Sequence, residues 1–179
     1  MSNSERSLAA SALFAGGPIS DGRYPLARML EYGQFIGVWD FDWRGRRSDG
    51  EWQTAEGEWH FYWALEGRAV CDTWIIPKLA ARRQPEAPAG EYGLTVRFFD
   101  PAVDAWRVTW NGPVNGNVRR FTAQVRGSEI VQDSLDELGT KRWVFADITP
   151  DSFRWRSELS HDQGQSWDLI EEMLCRRRR

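Results

Sequence analysis

Apolar and polar residues alternate with a period of two over most of the chain from Gln34 onward. In the first such segment Trp39, Phe41 and Trp43 alternate with polar residues, the pattern of a strand with one buried face. Similar segments, separated by turns that contain Gly, Asn or Asp, recur at 51–65, 68–77, 93–99, 106–110, 121–125, 129–135, 141–148, 153–159 and 167–176. The chain is therefore predicted to hold about ten strands.

These strands follow one another without interleaved helices, which excludes a parallel sheet of βαβ units. Short turns favour an up-and-down order, and closing the sheet removes its two long edges. We therefore predict an all-β fold: a closed up-and-down antiparallel β-barrel of about ten strands with a short N-terminal helix over 25–33. The predicted domains are a flexible N-terminal arm at 1–24 and a lipocalin-like barrel domain at 25–177, with an exposed loop at 78–90 and a bulge at Gly57.

Composition limits the possible partners. A chain of 179 residues with 41% hydrophobic and 27% charged residues is expected to fold as one domain. The net charge of −3 argues against nucleic acid, and no apolar run reaches the ~20 residues of a membrane span. The basic run at 176–179 is expected to be a solvated tail without a partner. Two cysteines, Cys71 and Cys175, make no disulfide framework, so we expect reduced thiols and a cytoplasmic protein.

Tryptophan is the unusual residue, with eleven copies in the chain. A buried indole N–H needs an acceptor, so many buried tryptophans indicate a large aromatic wall. That wall is either a filled core or the lining of a cavity. For the cavity, the candidate ligand-binding residues are Trp43, Trp59, Asp72, Trp74, Arg97, Trp110 and Trp155.

Two local motifs have a structural meaning. Gly37-Val-Trp39 follows the predicted helix and resembles the Gly-x-Trp signature of lipocalins, in which the Trp closes one end of the barrel and a late-strand Arg, here Arg176 or Arg177, packs over it. Residues 160–167 (SHDQGQSW) match the Asp-box pattern, a hairpin tied by its Asp and anchored by its Trp. The second motif occurs once, so it indicates a turn and not a propeller, and it makes His161 an exposed turn residue.

Several longer segments together resemble a known family. They are residues 57–68 (GEWHFYWALEGR), Asp72-Thr-Trp74, residues 92–100 (YGLTVRFFD) with Trp106 and Trp110, the Asp-box, and Glu172-Met173. Over roughly 33–177 the chain is similar to bacterial lipocalin-like domains of the calycin superfamily, distant relatives of nitrobindin and of fatty-acid-binding proteins. The resemblance implies the barrel fold, but it implies little about function.

Three polar positions are ambiguous. Glu171 is two residues from Met173 and is therefore predicted to face the same side of its strand. Its carboxylate either points into the barrel or is solvated at the barrel mouth. Alternation sends Arg97 outward, whereas the family resemblance implies an inward Arg that holds an anion. His60 lies on the more polar face of its strand, with Asp72 one hairpin away as a residue that could orient it.

Three functions remain open. The first is binding of a small, largely apolar or aromatic molecule in the barrel. The second is a cofactor-free isomerase, cyclase or lyase, with His60 or Glu171 as acid/base and Arg97 stabilising an oxyanion. The third is haem binding, for which His60 is the candidate ligand. We expect no cofactor, no metal site and no membrane association, because phosphate loops and metal-ligand spacings are missing, and we expect a homodimer that covers excess aromatic surface.

Overall fold

The computed structural model describes residues 10–11, 13–86 and 90–179. Its strands are β1 (Phe14–Ala15), β2 (Gly37–Arg46), β3 (Trp52–Ala64), β4 (Ala69–Ile75), β5 (Tyr92–Asp100), β6 (Ala105–Gly112), β7 (Asn117–Arg126), β8 (Glu129–Ser134), β9 (Lys141–Ala146), β10 (Ser152–Leu159) and β11 (Asp168–Arg177). A helix, α1 (Leu26–Gly33), lies between β1 and β2; a 3₁₀ turn (Leu65–Gly67) follows β3, and a short helix, α2 (Leu79–Arg82), follows β4.

Strands β2 to β11 form a closed antiparallel barrel. Each strand pairs with the next in the chain, and β11 returns to pair with β2. The ten-stranded barrel confirms the predicted fold class. Helix α1 has nearly the predicted bounds, but it follows strand β1 and so is not the first element of the chain.

The interior consists of the alternate residues predicted from the period of two. Trp59, Phe61 and Trp63 of β3 are each at most 6% exposed and belong to one large core cluster. Tyr32 of α1 packs against that cluster and closes one end of the barrel. The apolar face of β3 is therefore buried inside the barrel, which removes the surface that motivated the expectation of a dimer.

Trp39 anchors the closed end. Its ring is fully buried, its Nε1 donates to the Phe35 carbonyl at 2.7 Å, and its ring edge meets Phe153 at 4.7 Å between centroids. The guanidinium of Arg177 lies 4.1 Å from the Trp39 ring centroid, which is the predicted cation–π contact.

Arg176, Arg178 and Arg179 keep exposed side chains, as predicted for a solvated run, but the run at 176–179 is held against the barrel and is not a free tail. Arg176 pairs with Asp42, and Arg177 donates to the carbonyls of Ile36, Gln34 and Pro150. The other two arginines are paired as well: Arg178 with Asp40 and Glu58, and Arg179 with Asp151. The run is held because its first two residues belong to β11, which pairs with β2 at the barrel closure.

Two smaller features can be compared with the sequence-based expectations. Gly57 is not bulged: its register with Phe41 is continuous, and a Cβ there would collide with the Phe41 ring. The Asp-box folds as predicted, with Asp162 accepting from the Ser166 N–H at 2.8 Å and Trp167 donating to the Gly164 carbonyl at 3.1 Å.

Part of the predicted N-terminal arm contacts the barrel. Phe14 and Ala15 pair with the end of β3, and the Ile19 N–H donates to the Gly67 carbonyl. Residues 1–9 and 12 lie outside the described part. No helix among the described residues is long and apolar enough to cross a membrane.

Candidate ligand-binding site

A cavity of about 820 Å³ opens at the end of the barrel opposite helix α1. Its wall consists of inward-facing residues at the strand ends that are far from the closed end of the barrel. Its volume lies within the range of small-molecule sites. Six tryptophans form its aromatic wall: Trp43, Trp59, Trp74, Trp110, Trp143 and Trp155.

Six of the seven predicted ligand-binding residues line the cavity, and the seventh lies behind its wall. Trp43, Trp59, Trp74, Trp110 and Trp155 line the cavity, and so does Arg97. Asp72 does not line it but lies behind the wall. The remaining tryptophans serve elsewhere, at the closed end (Trp39, Trp63, Trp106) or outside the barrel (Trp52, Trp167).

Asp72 and Arg97 form a buried ion pair at the floor of the cavity. The Asp72 carboxylate accepts from Arg97, from the Trp59 indole N–H, and from the Thr95 hydroxyl at 3.1 Å. The two charged side chains are at most 1% exposed. The two opposite charges compensate each other, and the carboxylate is saturated by its three donors, whereas the Arg97 Nε has no hydrogen-bond partner among the described residues. Removing one partner leaves an uncompensated charge.

Arg97 points inward because its polar partner is inside. Its neighbours Leu94 and Phe98 face outward and are 38% and 46% exposed, so β5 carries apolar side chains on both faces and alternation of polarity misleads there. The guanidinium also lies 5.0 Å from the Tyr32 ring centroid. Burial raises the pKa of Tyr32 despite the nearby Arg97 charge, so the hydroxyl stays protonated.

Glu171 faces the cavity near its mouth. Its carboxylate accepts from the Trp43 indole N–H at 3.3 Å, and it pairs in register with Ser157 of β10. It is partly buried and lines the cavity. A carboxylate there is available to a ligand, and that suits either a hydrogen-bond acceptor or an acid/base.

His60 is outside. Its Nε2 lies 3.4 Å from the Glu58 carboxylate, and its neighbour Tyr62 packs edge-on against Phe14 on the outer wall. Asp72 orients Trp59 and not His60, because the side chains of Asp72 and His60 lie on opposite faces of the sheet. His60 therefore does not reach the cavity, either as an acid/base or as a haem ligand.

A row of inward polar side chains crosses four adjacent strands level with the tryptophans. In register these are Gln132, Trp143, Ser157 and Glu171. Within the described part of the chain the Gln132 amide, the Trp143 Nε1 and the Ser157 hydroxyl have no hydrogen-bond partner. Unpaired buried polar atoms are costly. Of this row, Trp143 and Glu171 line the cavity.

Comparison with known proteins supports the architecture. The structure is similar to the crystal structure of Rv2717c from M. tuberculosis, with a TM-score of 0.55 and 11% sequence identity over 85% of this chain and 98% of that chain. At this identity the similarity shows a shared fold and nothing more. No protein-family model matches the chain, and no curated protein matches it by sequence.

Several cavity residues were missed by sequence reasoning. Trp143 shares strand parity with the buried Phe145, and that signal could have identified it. Lys141, at the start of the same strand, shares this parity and also lines the cavity. Arg119 pairs in register with Trp110, so only the strand pairing brings it to the mouth.

Within the described residues no group of three or more His, Cys, Asp or Glu side chains could hold a metal ion. The two cysteines are free and buried, and burial raises the pKa of both thiols, that of Cys71 to about 11. They have no direct part in the cavity's chemistry.

Proposed function

We propose that this lipocalin-like barrel binds one small, largely apolar or aromatic organic molecule among its tryptophans. The observation that carries the proposal is the open cavity of about 820 Å³ with six indole rings in its wall. Stacked or edge-on contacts with such rings stabilise a flat apolar ligand beyond the effect of area alone, by about 0.5–1.5 kcal/mol per ring pair.

The rings are held in place before a ligand arrives. The Trp59 indole is fixed by Asp72, and Trp74 lies 3.1 Å from the Met173 sulfur and stacks on Phe41. A preorganised wall favours binding because little side-chain entropy is lost when the ligand enters.

Titration with N-phenyl-1-naphthylamine, a neutral apolar fluorophore, tests the proposal. We expect saturable quenching of tryptophan emission with one site per chain. Trp110→Leu removes a cavity ring and should weaken binding about three- to tenfold, or about 0.7–1.4 kcal/mol. Trp52→Leu is the matched control, because Trp52 stacks under Arg44 on the outer wall. Absence of saturation, or equal effects of both variants, would contradict binding in the cavity.

A cofactor-free enzyme remains the second candidate, because Glu171 is one of three carboxylates that line the cavity, with Glu56 and Glu91. Of the two acid/base residues predicted from the sequence, only Glu171 lines the cavity, and Arg97 is held by Asp72. Incubation with a ligand extracted from purified protein, followed by mass spectrometry, distinguishes the two: a binder returns it unchanged, whereas an enzyme converts it in a way that Glu171→Gln abolishes.

Haem binding, the third candidate, has no support in the donor set. His60 lies on the outer wall and His161 is 74% exposed in the Asp-box turn. A Soret band lost in His60→Ala would reverse this assessment.

A further inference from the structure

The chain carries two lysines among its 23 Lys and Arg residues, Lys78 and Lys141. Both line the same cavity. Their surroundings differ, and the difference identifies the chemistry of the ligand's polar end.

Lys78 is already neutralised. Its ammonium lies 3.1 Å from Asp40 and 3.4 Å from Glu56 at the rim. Burial disfavours the ammonium, but the hydrogen bonds with these two carboxylates outweigh burial and raise the pKa of Lys78. Its charge is already compensated, so it does not require an anionic group from a ligand.

Lys141 is buried without an equivalent partner. Its side chain is 11% exposed, and the Glu137 carboxylate oxygen lies 3.8 Å from its ammonium, beyond normal hydrogen-bond distance. Glu137 is itself paired with Arg119, so two cations share one carboxylate. Burial and the charge of Arg119 lower the pKa of Lys141, while Glu137 and Glu171 act in the opposite direction.

A mostly buried ammonium that shares one carboxylate with an arginine, at 3.8 Å, is incompletely compensated, and the anionic group of a ligand would improve that compensation. Lys141 and Arg119 line the same cavity as the tryptophans, and the rings of Trp59 and Trp155 are buried more deeply than either cation. The two regions match the two ends of an amphipathic acid. Glu171 opposes such an anion by its own charge, and this predicts how its removal changes affinity.

We propose that the ligand is an aromatic or apolar acid whose carboxylate binds to Lys141, with Arg119 beside it, while its apolar body lies among the tryptophans. This inference rests on the proposed binding function and adds the chemical class of the ligand.

Two probes of the same shape test it: 1-naphthylacetate, which carries a carboxylate, and 1-naphthylacetamide, which is neutral. We expect the wild-type protein to bind the acetate about tenfold more tightly than the amide, a difference of about 1.4 kcal/mol. Lys141→Met should abolish the preference and leave the amide's affinity unchanged, and Lys141→Arg should retain it. Lys78→Met is the matched control, a neutralised lysine of the same cavity that should keep the preference.

Two further measurements sharpen the result. Glu171→Gln should increase affinity for the acetate and not for the amide, because it removes a negative charge near the site. The preference should also fall as the pH rises through the pKa of Lys141, since the ammonium is then lost.

The outcomes separate the two proposals. Equal affinity for both probes overturns the acid class, and a preference that survives in Lys141→Met overturns the assignment of the carboxylate to Lys141. Either result leaves the binding function intact. If neither probe nor N-phenyl-1-naphthylamine binds, the binding function itself is wrong.

Discussion

Trp39→Ala should be among the most destabilising single substitutions in this protein. The ring is 0% exposed, and its N–H donates to the Phe35 carbonyl. Replacing a buried Trp by Ala costs about 3–5 kcal/mol in lost burial and cavity formation. The unpaired Phe35 carbonyl adds about 1–3 kcal/mol if water does not reach it.

The loss of the Arg177 contact acts in the same direction, so we expect about 4–8 kcal/mol for the whole change. Against a typical stability of about 5–15 kcal/mol, the variant is marginally folded. For a chain of this length, about 2–4 °C is lost per kcal/mol, so the melting temperature should fall by about 10–30 °C.

Thermal melts followed by circular dichroism, together with urea unfolding, measure the effect. Trp39→Phe keeps an aromatic ring and loses the N–H, so it should lie between the wild type and Trp39→Ala. Trp52→Ala is the matched control: Trp52 is 39% exposed on the outer wall, and its loss should cost less than about 1 kcal/mol. If Trp39→Ala melts within about 3 °C of the wild type, or no lower than Trp52→Ala, Trp39 does not anchor the closed end.

Three further results are expected. Asp72→Asn leaves the Arg97 charge buried and should cost about 3–5 kcal/mol in urea unfolding, whereas the apolar pair Asp72→Leu/Arg97→Met should be less damaging; equal losses would refute a coupled pair. The hydrogen bond from Arg178, helped by Lys78, lowers the pKa of Asp40 to about 2, from 3.8, so its stabilisation is full above about pH 4 and is lost as the pH falls toward 2. Asp40→Asn should therefore flatten the fall of melting temperature over that range, and an unchanged slope would contradict the assignment. Cys71 and Cys175 should react with DTNB at pH 8 only after denaturation, because burial raises their pKa; fast labelling of native protein would show that they are accessible.

Local sequence was sufficient for the strands. A period of two, turn residues between segments and the absence of helical periodicity each act over a few residues, so ten strands and the Asp-box turn could be predicted without knowing the fold. Closure followed from a general argument about unpaired edges. The placement of Trp39 under an arginine also followed, because its motif lies where the first barrel strand begins.

Long-range pairing decided which charged residues matter. Alternation assigns residues of a strand to two faces, but it cannot say which face is inside when both carry apolar side chains, as around Arg97 in β5. In β5 the inward orientation of Arg97 is set by Asp72 of β4, because the buried Asp72 carboxylate needs a cation as its partner. His60, by contrast, lies on the outer face that alternation predicts, beside Glu58 of the same strand.

The basic run at 176–179 and Lys141 both show that the surroundings of a charged side chain cannot be inferred from its neighbours in sequence. Isolated in sequence, a run of arginines reads as solvated and a lysine at a strand start reads as surface. Strand β11 returns to β2, where Asp42 and Asp40 pair with Arg176 and Arg178. Lys141, in contrast, is mostly buried in the barrel wall and shares the Glu137 carboxylate with Arg119. Whether a charge has a partner depends on residues far away in the chain, and only the tertiary structure brings them together.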